Sequence, residues 1–301
     1  MNRLYRTFVF LFLIATACAA VRAQSATVIK TEPNASVWIN GVLYGKTDAA
    51  GELKIRAFPA GPQKVRVRAD GFKEITKLLA AGTMRIALAK TTDEVELAFQ
   101  EAERLSGSDR AKAAEAYKKV LKIKPAFVDA QIALARTLSD AGDFEGANTA
   151  IKAAIKLTPR SADAAAVDGR IQKLSGDDAK AIAAFKRAIA NGGGFQPEAY
   201  TGLAMLYQER AEAAGADGDL AGEAKNYEEA AKNFAVAVKQ LGTGVDAPTI
   251  YQLLGLVYER QKKYREAIAL YETFLRQFPD SPEATAVQSF IVQLKKQQSE
   301  Q

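Results

Sequence analysis

Asp217, Asp219 and Glu223, in the stretch "GADGDLAGE", are the closest this chain comes to a cluster of metal-ligating carboxylates. A calcium loop of the EF-hand type needs oxygen ligands at fixed intervals over about twelve residues, closing on a bidentate Glu. The spacing here departs from that template and the further ligands are missing, so the stretch reads as a flexible surface loop without metal. "NGGGF", ending at Phe195, lacks the Lys and Ser/Thr that complete a phosphate-binding loop. The chain has no histidine, and its single cysteine is Cys18. That removes Ser-His-Asp and Cys-His catalysis, imidazole and thiolate metal sites and, with one Cys, any internal disulfide. Carboxylate chemistry remains formally open, yet most Asp and Glu fall on helix-surface positions. The expectation is a protein that is not an enzyme, with no catalytic residue, cofactor or metal.

Residue types suited to binding do occur at regular spacing. Between Ala26 and Lys90 the apolar period is two: Val37 and Ile39 in "SVWIN", Leu53 and Ile55 in "ELKIRA", Val65 and Val67 in "KVRVRADGF". If these point inward, alternation sends Trp38, Lys54, Arg56, Lys64, Arg66 and Arg68 outward. A basic stripe with one aromatic suits an anionic polymer or an acidic partner surface. The plainer alternative is a solvated sheet face with protected edges, Trp38 packing under a loop or against the rest of the chain.

The elements that must position these residues are short strands separated by the turn signals Asn40-Gly41, Ala50-Gly51 and Asp70-Gly71. "TEPNASVWINGVLYGKT" followed by "FPAGPQKVRVRADGF" resembles a PEGA domain. The resemblance rests on Pro33 and Ala35, Asn40 and Gly41, Gly45 and Thr47, Ala60 and Gly61, and Gly71 with Phe72; Asn34 stands where the family has a Glu-Gly pair. It implies a small antiparallel, sandwich-like module over residues 26–90, common in exported or surface proteins and carrying no general catalytic site.

From Asp93 onward the period becomes helical and the sequence repeats itself. "AKAAEAYKKVLKIKP", "EGANTAIKAAIKLTP" and "AKAIAAFKRAIANGG" align at a 34-residue step, with Ala113, Ala147 and Ala181 in register, as are Tyr117, Ile151 and Phe185. Such self-similarity signifies stacked helix pairs, none of which can bury its apolar face alone. "PTIYQLLGLVYERQKKYREAIALYETFLRQFP" resembles a tetratricopeptide repeat (TPR) through Tyr251, Leu254, Gly255, Tyr258, Tyr264, Ala267, Tyr271 and Pro279. Five units are expected over 94–279 (about 94–127, 128–161, 162–195, 197–244 with an insertion, and 248–281), closed by a capping helix over 282–298. The expected fold is thus a small antiparallel all-β domain followed by an α-helical TPR solenoid.

The TPR resemblance implies a concave groove lined by first-helix residues: Ile132, Arg136, Arg170, Lys173, Thr201, Met205, Gln208, Gln252, Leu256 and Arg260. The Lys/Asn set with which some family members clamp a C-terminal carboxylate is absent. The groove expected is mixed, basic in its middle and neutral to apolar later, suited to an extended or helical peptide.

The chain opens with Arg3 and Arg6, an apolar run from Phe8 to Ile14 and then small residues, the pattern of a secretory signal peptide over 1–23. The run is far short of the ~20 residues a spanning helix needs, so no membrane span is expected in the mature chain. "ATAC" ending at Cys18 also resembles a bacterial lipoprotein box, which implies lipid anchoring as the alternative. Without Arg3, Arg6 and Arg22 the formal charge falls from +6 to +3, and residues 24–90 carry 11 Lys and Arg against 5 Asp and Glu. Residues 91–301 hold 27 against 30; two oppositely biased halves suggest two domains.

The resulting expectation is a non-enzymatic, exported scaffold, periplasmic or secreted, in which the groove binds a protein or peptide partner and the β domain positions it in the cell envelope. The alternative is an envelope protein binding an anionic polymer or glycan through the basic β face. Export and an acidic array speak against nucleic acid.

Overall fold

The computed structural model describes residues 27–300. The stretch holding Cys18 and the expected cleavage site lies outside them. Seven strands come first: β1 (Thr27–Lys30), β2 (Ser36–Ile39), β3 (Val42–Lys46), β4 (Glu52–Ile55), β5 (Lys64–Arg68), β6 (Ile75–Leu78) and β7 (Thr83–Arg85). They form two sheets, in the orders β4-β1-β7 and β3-β2-β5-β6. All pairings are antiparallel except β1 with β7. A parallel pair needs a long connection, and here nearly the whole module supplies it. Ile29, Ile55 and Ile86 meet Val37, Ile39, Val65 and Val67 in one buried core, as the alternation predicts.

The motif residues act on the backbone. Asn40 (φ 47°) and Gly41 (φ 85°) take the left-handed conformations of a two-residue hairpin turn joining β2 to β3. The buried Thr47 hydroxyl accepts from the Ala35 amide (2.9 Å) and donates to the Glu32 carbonyl (2.6 Å), tying the "PNA" turn to the end of β3. Gln63 is buried and its amide nitrogen donates to the carbonyls of Pro59, Ala60 and Gly61. Ala35, Asn40, Gly41 and Thr47, four residues of the PEGA resemblance, therefore act in shaping turns.

Eleven helices follow among the described residues: α1 (Glu94–Ser106), α2 (Arg110–Ile123), α3 (Val128–Asp140), α4 (Phe144–Leu157), α5 (Ala162–Leu174), α6 (Asp178–Asn191), α7 (Pro197–Ala216), α8 (Leu220–Leu241), α9 (Ala247–Arg260), α10 (Tyr264–Gln277) and α11 (Ala284–Ser299). They stack as antiparallel pairs with α11 against α10. No helix among the described residues is long and apolar enough to cross a membrane.

One expectation is corrected here. The insertion around "GADGDLAGE" is not a flexible loop; it lengthens α7 and α8 to 20 and 22 residues and leaves only Asp217–Asp219 as a turn. Asp219 caps α8, its carboxylate accepting from the Gly222 amide at 2.9 Å. Ala, Glu and Lys on both sides favour continued helix, and the Gly-Asp pair supplies one left-handed residue and one cap, which is all a helical hairpin requires.

The same device recurs. Gly142, Gly176 and Gly218 adopt φ of 83°, 83° and 78°, each followed by an Asp that caps the second helix. In the fifth pair Lys262 takes the left-handed position (φ 56°), and Lys263 provides no side-chain cap. A non-glycine residue there costs roughly 1–2 kcal/mol, and a missing cap about 1 kcal/mol. Glycine's greater freedom in the unfolded chain takes back up to about 1 kcal/mol, so the double variant Lys262→Gly, Lys263→Asp is expected to raise stability by about 1–2 kcal/mol, read as a higher urea midpoint at unchanged slope.

Candidate functional site

The β module lies across the concave side of the array. At the near end, where Thr91 leads into α1, Gly71 N donates to Gln100 Oε1 at 2.9 Å and Gln100 Nε2 donates to the Phe72 carbonyl at 2.8 Å. At the far end, Thr243 N donates to the Ala57 carbonyl at 3.0 Å and Val245 N to the Leu43 carbonyl at 2.9 Å. Arg56 pairs with Asp280 at 2.6 Å. The basic module and the acidic array thus meet through opposite charges at two places, Arg56 with Asp280 and Arg68 with Glu103.

Between these ends lies a cleft of about 1240 Å³. One wall is the β2-β5 face, with Trp38, Lys64, Arg66 and Arg68; the other comes from the first helices, with Ile132 and Arg136 on α3, Arg170 on α5 and Thr201 on α7. The structure therefore brings four residues of each predicted set into one space. Trp38 and Arg66 are cross-strand neighbours, and the guanidinium carbon of Arg66 stands 4.4 Å from the Trp38 ring centre. That geometry is a cation–π contact. Arg68 stands 5.7 Å from the Trp38 ring centre and 4.9 Å from that of Phe99, so a charged side chain is layered between an aromatic of β2 and one of α1.

The contiguous basic stripe expected from alternation does not form. Lys54 and Arg56 are exposed but belong to β4 and the irregular segment just beyond it, and β4 is part of the other sheet. Arg68 is only 7% exposed and pairs with both Glu74 and Glu103. Burial opposes its charge, and the two glutamates outweigh burial, so its pKa moves upward. Burial chiefly holds the Glu103 carboxyl above the usual carboxylate range, against the opposing pull of Arg68. Only Trp38, Lys64 and Arg66 present the face the alternation predicts.

The groove's expected basic middle is neutralised from within. Arg136 holds Glu198 of α7 through two bonds of 2.6 Å, Arg170 holds Asp140 of α3 at 2.6 Å, and Lys173 holds Glu209 of α7 at 2.6 Å. The carboxylate partners come from other helix pairs, two pairs on for Arg136 and the adjacent pair for Arg170 and Lys173, 62, 30 and 36 residues away in sequence. Partly exposed ion pairs of this kind add little stability; they set the charge of the surface. Lys173, Met205, Gln208, Gln252, Leu256 and Arg260 lie outside the cleft. Met205 and Leu256 are 37% and 52% exposed on α7 and α9, and with Gln208 and Arg260 they continue the first-helix face beyond the cover of the β module.

Glu74, Gln100, Glu103, Glu198 and the segment 242–245 complete this site, and sequence reasoning missed them. The charge bias between the two halves was the one signal that acidic residues of the array would meet basic residues of the module. Within the helical array, tetratricopeptide repeat models match residues 105–171 and 216–282. No curated protein matches the chain in sequence. Among solved structures, yeast Tom70 is similar at 17% identity and a TM-score of 0.53, covering 68% of this chain and 40% of that one. A human IFIT1 dimer with m7Gppp-AAAA is similar at 16% identity and 0.51, covering 62% and 41%. MamA aligns at 22% identity and 0.42 over 65% of this chain and 96% of that one. The chain is a small, mostly antiparallel β region followed by a helical TPR solenoid, an architecture that supports a protein–protein interaction scaffold.

Proposed function

We propose that this protein is a non-enzymatic, exported scaffold that holds an extended segment of a protein partner between its two walls. The observation that carries this reading is the cleft itself, in which Trp38 and Arg66 on the β wall face Ile132, Arg136 and Thr201 on the helical wall. An extended peptide presents side chains to both sides, and a stacked Trp–Arg pair opposite an apolar Ile suits alternating apolar and polar residues. The apolar run from Phe8 to Ile14 behind Arg3 and Arg6 supports export, and the PEGA resemblance supports a place in the cell envelope. The polymer alternative loses its main support, because Arg68 is spent on Glu74 and Glu103 and the remaining basic residues are split between two sheets.

A photo-reactive residue at Thr201, compared in cells with one at Lys186 on the second-helix side, tests the reading. The expected result is a discrete protein adduct from position 201, lost when Trp38→Ala and Ile132→Glu are combined. Adducts of equal yield from both positions, or a crosslink to polysaccharide, would overturn it.

A further inference from the structure

We propose that the β module is a gate over this cleft, pivoting on its contact with α1 and closed by a releasable latch on the α8–α9 connection; the proposal concerns access to the site described above and rests on that reading. The two contacts of the module differ in kind. At the pivot the chain is continuous, Thr91 N to the Gly71 carbonyl (2.9 Å) and Lys73 N to the Ala89 carbonyl (2.8 Å) keep the module attached to its own exit segment, and Gly71, Phe72 and the buried Arg68 hold Gln100 and Glu103 of α1. The latch joins residues 186 apart in sequence, with the Thr243 hydroxyl and amide both donating to the Ala57 carbonyl at 3.0 Å. The exposed Arg56–Asp280 pair stands at the same end and adds little; nothing covalent holds the latch.

The latch is built for close approach. A Cβ at Gly244 would stand 2.6 Å from Val42 Cγ1, and one at Gly242 2.7 Å from both the Ala57 carbonyl and the Tyr44 hydroxyl. Val42 and Tyr44 enter the same apolar core as Leu241 and Ile250, whereas α1 to α4 pack in a separate one. Burial of that surface favours the closed state.

One group works against it. Tyr44 is 7% exposed, and its hydroxyl has no hydrogen-bond partner among the described residues. A hydroxyl stripped of water without a partner is a standing penalty on the state that buries it. Opening the latch returns it to water. The closed form therefore carries an apolar seal offset by one unsatisfied polar atom, which keeps the gate shut at rest while lowering the cost of release when a partner competes for the cleft.

Amide hydrogen exchange on the full chain tests this without a ligand. The Thr243 and Val245 amides donate across the latch, so their exchange reports its opening, while amides inside α5 report global unfolding. In the wild type the two latch amides are expected to exchange faster than those of α5. Tyr44→Phe removes the unsatisfied hydroxyl and is expected to slow latch exchange by roughly tenfold, with α5 slowed by no more than the same factor because global unfolding also opens the latch. Gly244→Val wedges the latch and is expected to bring both amides close to the unprotected rate with α5 still protected. Should Gly244→Val unfold the chain, Tyr44→Phe alone decides. Latch amides that exchange only at the α5 rate, or a Tyr44→Phe variant whose latch exchanges as fast as the wild type or faster, would overturn the gate. A failed crosslink from Thr201 with intact latch behaviour would instead count against the partner reading alone.

Discussion

Phe185→Ala is expected to lower the stability of the array by about 4 kcal/mol, the range for truncating a fully buried aromatic. Phe185 is 1% exposed on α6 and is wedged between two first helices. A Cβ on Gly169 of α5 would stand 2.5 Å from its ring, and one on Gly202 of α7 would run into its Cζ. Its core is the smallest of three and is built mainly from alanines, so Phe185 fills most of the space between the two helices, with Leu203 and Leu206 beside it and Ile182, Ile189 and Tyr207 at the edge. In a solenoid each pair is held by its neighbours. Loss of this wedge should uncouple the first three pairs from the last two, and urea unfolding followed by circular dichroism should split into two transitions. A single transition with a midpoint shift worth under about 1 kcal/mol would show that Phe185 is not the keystone. Gly202→Ala is expected to cost about 1–3 kcal/mol by overpacking, and combining it with Phe185→Leu should cost less than the two effects summed.

Arg68→Met should cost roughly 3 kcal/mol near neutral pH, the lower end for removing one member of a buried ion pair, since both glutamates keep some solvent contact. Without the guanidinium, Glu74 and Glu103 face each other across an apolar stack of Trp38 and Phe99. The pH dependence follows from Glu103, whose folded pKa is raised mainly by burial against the pull of Arg68 and Arg66, with Glu74 adding to the rise. A carboxyl with a raised folded pKa favours the fold when protonated. Its contribution is complete below the ordinary carboxylate value and is lost as pH rises through the folded value. Removing Arg68 takes away the largest opposing influence and moves that window upward. The deficit of Arg68→Met should therefore shrink as pH is lowered from 8 towards 5, and Glu103→Gln in the same background should abolish the trend. Urea midpoints read by Trp38 emission at several pH values measure both; a deficit independent of pH would refute the assignment to Glu103.

Much of the architecture was legible. A 34-residue step in Ala113, Ala147 and Ala181 is a direct consequence of stacking, since each pair must offer the next a small residue at the same place, and all three are fully buried. Alternation correctly turned Val37, Ile39, Val65 and Val67 inward. It misjudged the outward set because a strand's period states which side of its own sheet a residue faces, not which sheet the strand joins. Lys54 and Arg56 were separated from Arg66 by that choice. The insertion was misread because Gly and Asp, turn formers in isolation, here serve as a single break between two long helices.

Read alone, the sequence determined the two modules, their periods, the absence of histidine and the placement of Trp38 and Arg66 on one face, because these depend on local covalent order and on the residue types themselves. The tertiary structure alone decided that the module crosses the groove, that Arg136, Arg170 and Lys173 are held by Glu198, Asp140 and Glu209, and that Ala57 meets Thr243. Those contacts join residues 30 to 186 positions apart. No local periodicity encodes them; they exist because charge and apolar surface left uncovered by one element must be covered by another wherever the chain brings it.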